Sequence, residues 1–271
     1  MPLTCITGRG SLYYPPPDSG GGSEVGSMVD FDFEDDELPS FFNTYAGGVI
    51  STEQAYSGTR SVKCTAAEDE ANLDWLAGKP LHRLTQGDEI WVRFRTFFPT
   101  GYDFSVSTSL KFLRVDQGAN SGVNRGHGAH IDYYLQSAND TDVGFWNFIQ
   151  EDIQSWMFAG AERPPSGIIR NTWQTWNFYL LLHSVASSAR VRLWCDETLI
   201  IDSNTRATLG AATNEVGSIA DGNCQGVMFM TYWNGGSPQA QSCYLDDWAI
   251  STNISGAPTA TDGAGNPWIG L

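Results

Sequence analysis

"WQTWNFYLLLHSVASSARVRLWCDETLIID" spans residues 173–202. It contains three runs rich in Val, Ile, Leu and aromatic residues, separated by turn chemistry. In the first run Trp173, Thr175, Asn177, Tyr179 and His183 alternate with Trp176, Phe178 and Leu180. In the second, Arg190, Arg192 and Trp194 alternate with Val191, Leu193 and Cys195. A period of two is the signature of strands with one face buried. "CDETLI" reads as a tight hairpin turn around Asp196–Thr198. The stretch is therefore an antiparallel meander, and the rest of the chain repeats its grammar.

Working outward, similar runs occur at 28–34, 59–66, 88–99, 108–116, 129–137, 143–151, 226–234 and 243–251, each bounded by turn clusters. No amphipathic helix of useful length appears. Strands of this kind over residues 29–252 predict an all-β, antiparallel two-sheet sandwich or barrel. No repeat period suggests a propeller. Residues 1–28, with "YYPPPDSGGGS" at 13–23, read as an extended arm and linker. Residues 253–271 form a Gly/Ala/Pro/Thr tail with an apolar tip at Trp268–Leu271.

The 271 residues carry 15 Lys and Arg against 31 Asp and Glu, a net charge of −16. That excludes non-specific nucleic-acid binding, which needs a basic footprint, and broad attraction to anionic membranes. No apolar run is long enough to span a bilayer. The N-terminus lacks the basic start and apolar core of a secretory signal. The five cysteines include no C-x-x-C, so neither zinc nor redox chemistry is indicated. One pair such as Cys224 with Cys243 could bridge; free buried thiols are the preferred reading.

Four stretches together resemble the concanavalin A-like lectin/glucanase jelly roll: "FDFEDDELPSFF" (31–42), "AYSGTRSVKC" (55–64), the 173–202 meander, and "CYLDDWAIS" (243–251). The meander is similar to the hairpin of laminin G-like and polysaccharide-lyase-like members, except that Glu197 replaces the turn glycine, and "CYLDDWAIS" resembles the family's closing strand. The resemblance implies a jelly roll over roughly 29–252 and leaves function open.

Alternation gives several strands a polar-aromatic face opposite an apolar one. Trp91, Arg93, Tyr134, Gln136, Trp173, Asn177, Tyr179, Arg192 and Trp194 are the candidate glycan-binding set: rings to stack on sugars, polar groups to bond hydroxyls. An ordinary outer sheet face is the competing reading. The E-x-D-x-x-E strand of retaining glucanases is missing; in "EDDELP" (34–39) Pro39 holds the last carboxylate's place. For a polysaccharide lyase the resemblance implies a Tyr or His to move protons and cations to neutralise a uronate. His130, Tyr134, Arg93, Arg95 and Lys111 are the candidates, although the family's Q-I-H and R-x-E-L-R strands are not present. No organic cofactor is expected. A structural Ca²⁺ between the opening and closing strands would draw on Glu34, Asp36, Asp246 and Asp247. Asp246 and Asp247 point to opposite faces unless a bulge intervenes, so one is expected to close the sandwich and the other to face solvent or a turn.

A fold of this kind with no export signal, flanked by arms, suggests a non-enzymatic glycan-binding or structural module on a phage virion. It would be a capsid decoration or tail protein at the virion surface or outside cells. The arms would clasp other virion subunits in a homo-oligomer or lattice. The alternative is a polysaccharide lyase or glycosidase acting in a groove of the sandwich.

Overall fold

The computed structural model describes residues 27–39, 42–43, 48–73, 76–78, 86–104, 110–116, 130–137, 144–150, 155–156, 168–205, 207–208, 226–230, 232–252, 258 and 260–270. In chain order the strands are β1 (Ser27–Phe31), β2 (Phe42–Asn43), β3 (Gly48–Ser51), β4 (Ser61–Ala66), β5 (Leu76–Gly78), β6 (Glu89–Phe97), β7 (Leu110–Asp116) and β8 (His130–Ser137). They continue with β9 (Gly144–Gln150), β10 (Ser155–Trp156), β11 (Trp173–Leu181), β12 (Arg190–Cys195), β13 (Thr198–Ser203), β14 (Gly226–Phe229) and β15 (Gln241–Thr252). The pairings named between them are all antiparallel. The first sheet runs β13-β12-β11-β6-β15-β4-β3, with β1 also on β15; the second runs β10-β9-β8-β7-β14-β5-β2. The fold is the all-β sandwich that the alternation predicts.

The two sheets meet on aromatic rings. Phe94 of the first sheet stacks on Phe178 at 5.3 Å and on Trp248 at 5.2 Å. It meets Phe229 of the second sheet at 5.2 Å and Phe112 at 5.6 Å. All five rings are buried. Each such side chain contributes on the order of 2 kcal/mol when fully removed from water. Trp176 Nε1 satisfies its donor inside this layer by donating to Thr96 Oγ1 at 2.9 Å.

The 173–202 meander folds as read. A two-residue turn joins β12 to β13, with Cys195 paired to Thr198. The left-handed residue of the turn is Asp196, at φ 51°, one position before the Glu197 that replaces the glycine. Its carboxylate accepts the Thr175 N–H at 2.9 Å and so holds the turn. The opening strand ends at Phe31 rather than Glu34, because Phe33 turns out of the strand at φ 55°. Strands β2, β3, β5 and β10 have two to four residues each. That is too short for alternation to register, and the sequence reading missed them.

Strand β15 organises the first sheet. One edge pairs with β6 along most of its length. The other pairs first with β4, through 241–245, and then with β1, through 248–252. A bulge between Asp246 and Ala249 marks the point where the partner changes. Asp247 sits there at φ 48°.

Candidate functional site

Most of the sequence-predicted glycan set shares the outer face of the first sheet. Register sets Asn177 between Arg93 and Trp194, Tyr179 between Trp91 and Arg192, and Trp173 beside Phe97. Tyr134 and Gln136 do not join them. They lie on β8 in the second sheet, opposite Lys111 of β7 and Phe145 of β9 respectively. The lyase set divides in the same way: Arg93 and Arg95 belong to the first sheet, while Lys111, His130 and Tyr134 belong to the second. The five residues therefore come from two sheets, a division that strand alternation does not reveal.

The first-sheet arginines are also engaged. Arg93 donates to Asp30 at 3.2 Å and to the Asp247 carbonyl at 3.3 Å. Arg95 pairs with the Asp247 carboxylate, donates to Thr175 Oγ1 at 3.2 Å, and lies 3.7 Å from the Tyr56 ring centroid. Arg190 and Arg192 share Asp202, Arg60 pairs with Asp36, and Lys63 with Glu53 at 2.6 Å. Each cation named here is paired with a carboxylate. A guanidinium buried against an internal carboxylate, as Arg95 is, is poorly placed to neutralise a uronate.

The C-terminal segment covers the centre of this face. Trp268 packs with Trp91, Tyr179 and Trp194 in a buried aromatic cluster. The Trp91 indole donates to the Pro267 carbonyl at 3.2 Å, and Asn177 Nδ2 to the Gly270 carbonyl at 3.2 Å. Asp262 ties the segment down. Its carboxylate accepts from the Trp194 indole at 2.8 Å, from the Ala264 and Asn266 amides, and from the Asn266 side chain. Burial works against its charge, but these donors hold it at about 2. Trp91, Asn177, Tyr179 and Trp194 are therefore packed beneath the chain's own tail, where a glycan cannot reach them. Trp173 is not a member of that cluster. It is met edge-on by Tyr56, 46% exposed, at 6.1 Å. Tyr56 belongs to a turn in "AYSGTRSVKC", and its position carried no strand period to flag it.

The paired aspartates sit at the β15 bulge. Asp246 is fully buried and accepts the Tyr56 N–H at 2.8 Å, the Ser57 N–H at 3.4 Å and the Asp247 N–H at 2.8 Å. Burial, with the neighbouring Asp247 charge adding to it, pushes its pKa up to about 7 against the pull of these amides. Asp247 accepts from Ser57 Oγ at 3.2 Å and pairs with Arg95. The bulge thus brings both carboxylates onto the 56–57 loop, where strict alternation would have separated them. Glu34 completes the fastening by accepting the Thr59 and Arg60 amides at 3.0 Å. Burial pushes its pKa up, but these bonds outweigh it and leave the carboxyl below its ordinary value. The four carboxylates expected to hold calcium are thus spread over loop amides, Arg60 and Arg95. Among the described residues no three His, Cys, Asp or Glu side chains converge as a metal site.

The second sheet carries the remaining candidates. Lys111 pairs in register with Tyr134, Arg114 with Asp132 and with Met228, and Asp116 with His130. Tyr134 is in turn opposite Asn147. Alternation puts positions 130, 132, 134 and 136 on one face of β8. Lys111 lies 5.2 Å from the Tyr232 ring centroid. Sequence reasoning passed over Arg114, Asn147 and Tyr232, whose relevance depends on cross-strand register.

No family model matches the chain, and no curated protein does. Solved structures do. The endo-β-1,4-glucuronan lyase from the fungus Trichoderma reesei superposes with a TM-score of 0.54 at 10% identity, over 82% of this chain and 93% of that one. The alginate lyase Aly36B gives 0.51 at 13%, over 83% and 97%. The cellulose induced protein Cip1 gives 0.51 at 16%, over 82% and 96%. At these identities the likeness is one of fold alone: the antiparallel β-sandwich that these structures share with this chain.

Proposed function

We propose that the chain is a polysaccharide lyase that cleaves uronate-containing glycans on the outer face of the second sheet. The observation that supports this most is the β7–β8 register, which sets a cation at 111 beside a tyrosine at 134 and a histidine at 130 on the same strand. Lys111 and Arg114 would draw charge from the uronate carboxylate and so acidify the adjacent C–H. His130 or Tyr134 takes that proton as base. The glycosidic C–O bond then breaks, and a proton supplied by the other residue of the pair satisfies the leaving oxygen. The products are a new reducing end and an unsaturated uronate. The likeness of fold to alginate and glucuronan lyases supports the substrate class and replaces the virion reading as the better one.

Incubation with alginate, glucuronan and heparin-like polymers should raise the absorbance of unsaturated uronates on at least one of them. Tyr134→Phe should lower that rate by about 100-fold or more, the scale of a lost proton-transfer group, and Lys111→Ala by a similar factor, the scale of a lost electrostatic stabiliser. No absorbance rise on any polymer, or unchanged rates in both variants, would sink the proposal.

A non-enzymatic glycan-binding reading keeps one specific support, the exposed Tyr56 edge-on to Trp173 with Arg95 beneath its ring. Retardation of the protein in a polysaccharide-containing gel that disappears in Tyr56→Ala, without any turnover, would favour it.

A further inference from the structure

We propose that Cys64 and Cys243 form a disulfide that staples β4 to β15 when the chain folds in oxidising surroundings. The two residues are direct cross-strand partners in the antiparallel β4–β15 pair. Directly opposed residues in such a pair have Cα atoms about 4.5 or 5.5 Å apart, according to whether the pair is hydrogen-bonded. Both values lie within the 4.4–6.8 Å span that a disulfide bridges. Both thiols point into the same core, both are fully buried, and both are free in this structure. The pairing is close enough for the Cys64 thiol to be a hydrogen-bond partner of Cys243. On its other flank Cys64 is paired with Gly48, which brings no side chain to compete for the space. Cys195 lies on β12, three strands from β15 in the sheet order. Cys224, the partner first considered for Cys243, lies outside the described residues.

The chemistry needs an oxidant, for which a small-molecule disulfide such as oxidised glutathione suffices. One cysteine thiolate attacks the glutathione disulfide and expels one glutathione thiolate. The second cysteine thiolate then displaces the other from the mixed disulfide. Two protons and two electrons leave the protein, one S–S bond forms in it, and two molecules of reduced glutathione result. Burial keeps the folded thiols protonated and out of reach, so exchange takes place before the sandwich closes. The bond would join an early strand to the last one, across a loop of roughly 180 residues. Long loops are where such a constraint restricts the unfolded chain most.

The test is refolding of the full chain from denaturant, once with a mixture of oxidised and reduced glutathione and once with dithiothreitol. Peptide mapping under non-reducing conditions should find the 64–243 cross-link only in the first sample. That sample should also melt at least ~5 °C higher, the scale set by a disulfide in a domain of this size. A second preparation with Cys5, Cys195 and Cys224 all changed to Ser removes competing pairs and should behave identically. If the oxidatively refolded protein retains both thiols, or links Cys243 to another cysteine, the proposal is overturned.

Discussion

Asp246→Asn tests the acidic bulge most directly. The carboxylate is fully buried, with a pKa of about 7 in the folded protein against an ordinary value of 3.8. The folded state therefore binds a proton there more tightly than the unfolded chain does. Its contribution to stability is complete below pH 4, declines as pH rises, and is gone once pH exceeds about 7. A gap of about three pH units at 1.36 kcal/mol each bounds the full effect at about 4 kcal/mol. Between pH 5 and pH 8 the expected loss is on the order of 2–3 kcal/mol. For a domain of this size that corresponds to a fall in melting temperature of roughly 5–10 °C. Asparagine cannot ionise, so the variant should lack this component. The measurement is urea denaturation of both proteins at half-unit steps from pH 5 to pH 8, with the variant subtracting every other titrating group. Parallel curves, or a wild-type protein that gains stability relative to the variant as pH rises, would refute the assignment of a raised pKa to Asp246.

Trp268→Ala should cost about 3–5 kcal/mol in urea denaturation, since it empties the cluster formed by Trp91, Tyr179 and Trp194; its tryptophan emission should shift to the red. Gly58→Ala should destabilise by more than 2 kcal/mol: the residue sits at φ +63°, and an added Cβ would lie 2.3 Å from the Glu34 carboxyl carbon. Arg95→Ala should lower stability by roughly 3 kcal/mol, because it leaves Asp247 without its cation. In the same variant the proposed lyase turnover, per folded molecule, should be unchanged, since Arg95 lies on the other sheet from Lys111.

Local periodicity made much of the fold legible. The strands from β6 to β9 and from β11 to β13, together with β15, announce themselves by alternation and by aromatic and branched content. Their boundaries fall within a few residues of the expected ones. The candidate site was legible only in part. Lys111, His130 and Tyr134 were singled out as residue types on strands, and register then placed them on neighbouring strands. Arg93 and Arg95 satisfied the same residue-type test, but their carboxylate partners come from 63 and 152 positions away in the chain. Tyr56 was overlooked because loops carry no period.

The sequence by itself determined that each strand has an apolar and a polar face, because alternation is a property of consecutive residues. Tertiary structure alone decided which polar face belongs to which side of the sandwich. Strand β6 joins β11 and β15, while β7, only thirteen residues further on, joins β8 and β14. Sheets pack about 10 Å apart, so residues on opposite outer faces cannot meet. Tertiary structure likewise decided that an inserted bulge brings Asp246 and Asp247 to one loop, and that the tail from 260 to 270 closes over the aromatic face. Each of these outcomes depends on pairing between segments far apart in the chain, and no local pattern encodes that.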